Sequence, residues 1–214
     1  MKRAVMVMAV LALIAGFFRV VPLFHLAPLR QMQKQVAQAG FNATNYATTF
    51  WNEKLLKSLN RAADARQVLT ALAADPPKAR TQYGRKVGVS STTLFFLRGT
   101  GQIIGVKKNS LELALNEGDA TTDISLPTGL LFGNAVRDGT GLLDVSEFPN
   151  SQDFNDLSTQ LNHIVETTLL PKLREEVKAG VKIWFAGCAE IDDEDTDVRP
   201  LKVIPVSVKI EPTE

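Results

Sequence analysis

Charged side chains that could take part in catalysis or binding lie close together at two places in the sequence. Arg137 and Asp138 stand side by side within the tract 133–139, and the loop 192–197 carries five acidic residues. A guanidinium beside a carboxylate can hold a loop by ion pairing, or can present its donors to an anionic or sugar ligand. A hydrolytic or metal-assisted enzyme that uses Arg137, Asp138 and the acidic loop is therefore one hypothesis to carry forward.

The acidic loop has part of the pattern of a calcium site. Alternate residues from Asp193 are aspartates, as in the first ligands of an EF-hand, but position six is Val198 and position twelve is Ile204. An EF-hand needs glycine and glutamate at those two positions. We therefore predict a solvated hairpin tip and no EF-hand metal site, with loose binding of a divalent cation as the alternative.

Nucleophilic catalysis has few candidates in this chain. Cys188 is the single cysteine and lies in the apolar run 183–189, which favours a small buried hydrophobe over a reactive thiol. His25 and His163 are the two imidazoles, and no spacing brings His163 to Cys188. The sequence predicts no catalytic triad and no cofactor, and a lone cysteine cannot form an intrachain disulfide.

Composition limits the fold and the partners. With 214 residues and 45% hydrophobic content, the chain is long enough for one domain and an N-terminal appendage. The 24 basic and 23 acidic residues leave a net charge of +1. Because the chain has no large excess of positive charge, nucleic acid is not an expected partner.

The N-terminal segment has the order of an export signal. Lys2 and Arg3 precede the apolar run Ala4 to Phe18, whose 15 residues reach only ~22 Å as a helix, short of the ~30 Å hydrocarbon core. Extension past Arg19 to residue 24 closes that gap. We predict an uncleaved signal-anchor over 1–24, crossing the cytoplasmic (inner) membrane once with the body in the periplasm, and a connector over 25–40. The alternatives are a cleaved signal and a buried core helix.

The exported domain, 41–214, divides by its periodicity. Apolar residues at helical spacing predict a helical part over 41–84, capped at its start by Asn42 or Thr44. From residue 92 the pattern becomes that of strands, with a glycine-marked bulge at 99–101 in the first of them. Further strands are expected at 110–115, 121–126, 130–136, 142–145, 181–191 and 201–210.

A helix is expected between the third strand unit and the last two strands. Phe154, Leu157 and Leu161 share one helical face, and Ser151 or Asp153 can cap its start. A bent first strand, a meander, a helix and two closing strands are the order of a small five-stranded OB-type barrel, which we predict over 85–214 in an α+β chain. The alternative is an open α+β sheet with its helices on one face.

Five motifs in this order resemble one known family. The motifs are Phe41-x8-Phe50-Trp51, Tyr83-Gly84, Leu97-x-Gly99-x-Gly101, Gly133-x3-Arg137-Asp138 and Phe148-x-Asn150-x3-Phe154-x7-Asn162. Over residues 41–208 the chain resembles the bacterial domain-of-unknown-function family 2291, predicted periplasmic lipoproteins. The resemblance implies an OB-like envelope protein, often encoded near sugar-uptake ABC transporters, with no assigned catalytic activity.

The resemblance also carries over a set of polar positions. These ligand-binding candidates are Arg137, Asp138, Asn150 and Asn162. The sequence departs from a lipoprotein pattern because it has no cysteine near the end of the apolar run, so we expect the apolar segment to replace a lipid anchor.

These observations predict a non-catalytic accessory or binding module at the periplasmic side of the membrane. Its expected partners are the cytoplasmic membrane and an ABC transporter component or a small solute such as a sugar. A structural envelope protein and an enzyme using Arg137 and Asp138 stay as alternatives.

Overall fold

The computed structural model describes residues 40–88, 90–148 and 150–211. Contacts define a compact unit over Asn42–Glu214. The predicted anchor over 1–24 and all but the last residue of the predicted connector lie outside the described residues. Within the described ranges, no helix combines the length and apolar character needed to cross a membrane.

The unit begins with a helical part, as predicted. Helix α1 (Ala43–Phe50) starts at Asn42, whose side chain accepts a hydrogen bond from the Asn45 amide at 2.9 Å. The chain continues through a π-helical turn (Trp51–Leu55) and a 3₁₀ segment (Leu56–Arg61). After the short strand β1 (Ala63–Asp64) come helices α2 (Ala65–Ala74) and α3 (Pro76–Tyr83).

A five-stranded barrel forms the body of the unit. Its strands are β3 (Thr93–Val106), β4 (Ser110–Ala114), β5 (Ile124–Pro127), β6 (Lys182–Ile191) and β7 (Leu201–Ile210). They pair in the order β3-β4-β5-β7-β6, and β6 pairs back with β3 over ten residue pairs from Thr93–Ile191 to Gln102–Lys182. This pairing closes the barrel, confirms the OB-like prediction and excludes the open sheet.

Two short strands extend the barrel on the outer side of β3. β1 pairs with β3 in parallel at Ala63–Leu97, and β2 (Gly84–Lys86) pairs with it in antiparallel fashion at Gly84–Phe95. The helical part is therefore hydrogen-bonded to the barrel through β3. Side chains from both parts are fully buried, among them Phe50, Leu55, Phe95, Leu97 and Phe185.

The glycines of β3 do not form the bulge that was predicted at 99–101. Gly99 and Gly101 pair regularly with β6, and the register shift of β3 against β4 lies between Ile103 and Gly105. Close packing explains the two earlier glycines, because a Cβ at Gly101 would lie 2.9 Å from the Ala114 carbonyl oxygen. A Cβ atom at that distance is not tolerated without displacement of the neighbouring strand.

The segment between β5 and β6 also differs from prediction. The strands predicted at 130–136 and 142–145 do not form, and the chain makes a loop, the short helix α4 (Ala135–Gly139) and a 3₁₀ turn (Val145–Glu147). Helix α5 (Ser151–Ile164) follows as predicted and continues through a π-helical turn (Val165–Leu169) into α6 (Leu170–Glu176). The acidic loop contains the single-turn helix α7 (Glu194–Asp197).

Candidate functional site

Arg137 and Asp138 form a buried ion pair on α4. Their exposed fractions are 6% and 8%. The Arg137 Nε donates to Asp138 Oδ1 at 2.7 Å, and Nη2 donates to Oδ2 at 2.8 Å, which makes the pair bidentate. The pair lies on a buried helix, and the strand predicted over 130–136, which would have ended beside it, does not form.

The remaining donors of Arg137 join α4 to α5. Nη1 donates to the Phe154 carbonyl oxygen at 3.1 Å and to Asn155 Oδ1 at 3.2 Å. The guanidinium carbon lies 3.7 Å from the centroid of the Phe154 ring, a cation–π contact. With four hydrogen bonds made inside the protein, this guanidinium has little capacity left for a ligand, which favours the structural role.

Two further hydrogen bonds tie the start of α4 to α5. Ser158 Oγ donates to Asn134 Oδ1 at 2.8 Å, and Asn162 Nδ2 donates to the Gly133 carbonyl oxygen at 3.1 Å. We call this set the α4 clamp: the Arg137–Asp138 pair with its contacts to α5, and the bonds of Asn134 and Gly133 to that helix. The clamp fixes the polypeptide from 133 to 139 on α5.

Asn150 has a local structural task. Its Oδ1 accepts from the Asp153 amide at 2.9 Å, and its Nδ2 donates to Asp153 Oδ2 at 2.9 Å. Asn150 is therefore the N-cap of α5, a position that the sequence assigned to Ser151 or Asp153. Of the four ligand-binding candidates, Arg137, Asp138 and Asn162 are joined by the clamp, and Asn150 lies at the start of the same helix.

A cleft of about 710 Å³ lies between the loop 130–134 and the outer face of α5. We call it the α5 cleft. Its helical wall consists of polar side chains, of which Asn155, Thr159 and Asn162 recur at helical spacing on the face opposite the buried Leu157. The polar wall comprises Asn155, Ser158, Thr159, Gln160, Asn162, His163 and Glu166.

The loop wall of the cleft carries two exposed apolar side chains. Leu130 is 77% exposed and Phe132 is 78% exposed. Phe132 also lines two adjoining depressions, of about 570 Å³ and 230 Å³. The exposed Phe132 ring therefore lies where three concavities meet and is accessible to a ligand in any of them.

Hydrogen bonds hold the loop wall in place. Besides the clamp, the Leu131 amide donates to Glu166 Oε1 at 2.6 Å. The Asn155 NH₂ group and the His163 ring make no hydrogen bond to other described residues, so both face the cleft with free polar atoms. A preformed wall with unused donors and acceptors is what a polar ligand requires.

Sequence reasoning did not find the cleft. The stretch 130–136 has the apolar content of a strand, so Phe132 was expected within a strand and not on the wall of a cleft. One available signal was the alternation on α5, where Asn155, Thr159 and Asn162 recur on the face opposite the apolar residues.

Cys188 lies inside the barrel wall. It is fully buried, and burial raises the pKa of its thiol, with the charges of Glu190 and Asp138 adding to the effect. His163 is exposed in the α5 cleft, and Cys188 does not line that cleft. The prediction of a structural cysteine is confirmed.

The acidic loop closes on itself. Asp197 Oδ2 accepts from the amides of Asp192 and Asp193, each at 2.9 Å, and these bonds lower the pKa of the Asp197 carboxyl. Among the described residues, no group of three His, Cys, Asp or Glu side chains is placed to share a metal ion. The loop is mostly exposed, whereas Arg137 and Asp138 are buried.

Comparison with solved structures identifies the same fold elsewhere. The crystal structure of an OB-fold protein from Thermotoga maritima superposes with a TM-score of 0.72 at 28% sequence identity. The match covers 80% of this chain and 99% of the other. A search of curated proteins found no match.

Comparison with family models agrees with the resemblance in the sequence. The model described as predicted periplasmic lipoprotein (DUF2291) matches residues 7–209. That range begins within the apolar N-terminal run and ends at the last barrel strand. The chain therefore belongs to this family of predicted periplasmic lipoproteins.

Proposed function

We propose that this protein is a non-catalytic binding module of the cell envelope, which holds a sugar or a similarly polar small solute in the α5 cleft. The observation that carries the proposal is the exposed Phe132 ring, which lines the same cleft as a wall of amide, hydroxyl, imidazole and carboxylate groups. Sugars present apolar ring faces edged by hydroxyl groups. An aromatic ring beside fixed donors and acceptors matches both features.

The size and rigidity of the cleft support this proposal. Its volume of about 710 Å³ falls in the roughly 300–1,000 Å³ range of small-molecule sites. The α4 clamp and the Leu131–Glu166 hydrogen bond hold the loop wall before any ligand arrives. A preformed wall lowers the ordering cost of binding.

The proposed place of action is the outer face of the cytoplasmic membrane, with a component of an uptake transporter as partner. Lys2 and Arg3 ahead of an apolar run, together with the family's description, support this placement. Protease treatment of intact spheroplasts that express a C-terminally tagged chain tests it. Degradation of the tag from outside is expected, and a tag protected until lysis would overturn the placement.

Binding in the cleft is tested by calorimetry on the full-length protein in detergent with a panel of mono- and disaccharides. Phe132→Ala should weaken the best ligand by about tenfold or more, because the stacking surface is lost. Val145→Ala is the matched control, since Val145 is 55% exposed and does not line the cleft. Absence of saturable heat for the whole panel, or equal weakening by both variants, would reject the cleft as a sugar site and favour a structural envelope role.

A further inference from the structure

A second cavity, of about 510 Å³, borders the C-terminal end of α4 at Gly139, Thr140 and Gly141. Its floor is formed by Leu94 and Phe96, two residues apart on β3 and therefore on the same side of that strand. Tyr83 and Arg85 border it from the α3–β2 junction, and Arg61 borders it from the segment before β1. We call it the arginine cavity.

The charged groups that line the arginine cavity are all positive. Arg61 and Arg85 line it, and no aspartate or glutamate does. Neither guanidinium makes a hydrogen bond or ion pair with another described residue. The Asp144 carboxylate lies close enough to Arg85 for the guanidinium to help lower its pKa, after the hydrogen bonds from Ser146, but Asp144 is not part of the lining.

The protein places Arg85 by a close backbone contact. Gly141 has φ +65°, and a Cβ built there would lie 2.7 Å from Arg85 Nη1 and 3.3 Å from its Cδ and Cζ. The guanidinium therefore lies directly over the turn 139–141. Gly139 of that turn packs closely on the barrel strand β6, because a Cβ on Gly139 would lie 2.9 Å from Cys188 Cβ. Glycine at both positions lets the arginine approach the turn and the turn approach the barrel.

We propose that the arginine cavity binds an oxyanion, a phosphate group being the best fit. Two guanidiniums supply several N–H donors for the oxygens of such a group, and the Tyr83 hydroxyl supplies one more. Arg61 and Arg85 are both exposed, so a phosphate group can reach them from solvent. The turn amides are not part of the site, since the Gly141 amide already donates to the Asp138 carbonyl oxygen at 3.2 Å.

This site is separate from the α5 cleft and does not depend on it. Phosphate could arrive as a free ion or solute, or as a lipid headgroup of the adjoining membrane. The test titrates the full-length protein in detergent at low salt with inorganic phosphate and, separately, with dihexanoyl phosphatidylglycerol. Dihexanoyl phosphatidylcholine, which carries no net charge, is the control lipid.

Arg61→Gln and Arg85→Gln should each weaken binding about tenfold or more, and the double variant should abolish it. Lys86→Gln removes the same charge from the next residue of β2, which does not line the cavity, and should change affinity less than twofold. Thermal unfolding by circular dichroism checks that each variant is folded. Absence of saturable binding of both probes to the wild type, or equal weakening by Lys86→Gln, would overturn the proposal.

Discussion

Substitution of Arg137 by methionine removes the guanidinium group at the centre of the α4 clamp. Methionine keeps an unbranched apolar side chain in its place. The Asp138 carboxylate, 8% exposed, would lose both of its Arg137 donors, and the Phe154 carbonyl oxygen would lose its bond to Nη1. Removal of one partner from a buried ion pair costs about 3–5 kcal/mol. For a chain of this size, that loss corresponds to a fall in Tm of about 6–20 °C.

The assay is urea unfolding of the full-length protein in detergent, followed by circular dichroism. Arg98→Met is the matched control, because Arg98 is exposed on β3 and its loss should change the unfolding free energy by no more than about 0.5 kcal/mol. The double variant Arg137→Met with Asp138→Leu should lose less than the sum of the two single changes, since it leaves no buried charge. If Arg137→Met costs less than about 1 kcal/mol, or no more than Arg98→Met, the clamp is not structural and a ligand role for the pair regains support.

Three further predictions concern packing, capping and pH. Gly139→Ala places a Cβ 2.9 Å from Cys188 Cβ and 3.0 Å from Sγ. We therefore expect the free energy of unfolding in urea to fall by about 1–3 kcal/mol, and Cys188→Ala to restore part of it. An unchanged free energy of unfolding would mean that the turn can shift. Asn150→Ala removes the cap on the Asp153 amide and should lower the free energy of unfolding by about 1 kcal/mol. Ligand binding in the α5 cleft, measured by calorimetry, should not change. A change in binding without a change in stability would support Asn150 as a ligand residue. Partial desolvation raises the pKa of the Glu190 carboxyl, so its contribution to stability is present in acid and is lost as pH rises through the raised pKa. Glu190→Gln should therefore gain stability over the wild type with rising pH in parallel unfolding series, and a gain independent of pH would contradict this assignment.

The α5 cleft adjoins the surface that OB folds commonly use. Ligands of OB folds bind on the second and third barrel strands and the neighbouring loops. In this protein those strands are β4 and β5, and the depression of about 570 Å³ beside them is bordered by Lys108, Ser110, Ser125 and Lys202. Phe132 lines both this depression and the α5 cleft, so the two concavities adjoin each other.

Local signals in the sequence predicted most of the barrel and its helices. The face of Phe154, Leu157 and Leu161 determined α5, because residues three and four apart are neighbours only on a helix. The order of strands and helix predicted the OB topology, and the apolar surroundings of Cys188 predicted its burial.

Tertiary structure decided the elements that depend on distant partners. The stretch 130–136 has the apolar residues of a strand, yet the pairing of β3 with β6 closes the five-stranded barrel without it. Its backbone bonds to the helical segment that follows instead: the Leu131 amide donates to Glu166 Oε1, and the Gly133 carbonyl oxygen accepts from Asn162.

The same distinction separates the candidate residues from the candidate site. The sequence showed that Arg137 and Asp138 are adjacent, but their burial depends on α5 residues 17 and 18 positions beyond Arg137. The exposure of Phe132 follows from a loop that the clamp holds against that helix. Residue types and periodicity determined the fold of this protein, whereas long-range side-chain contacts decided which polar groups are enclosed and which face solvent.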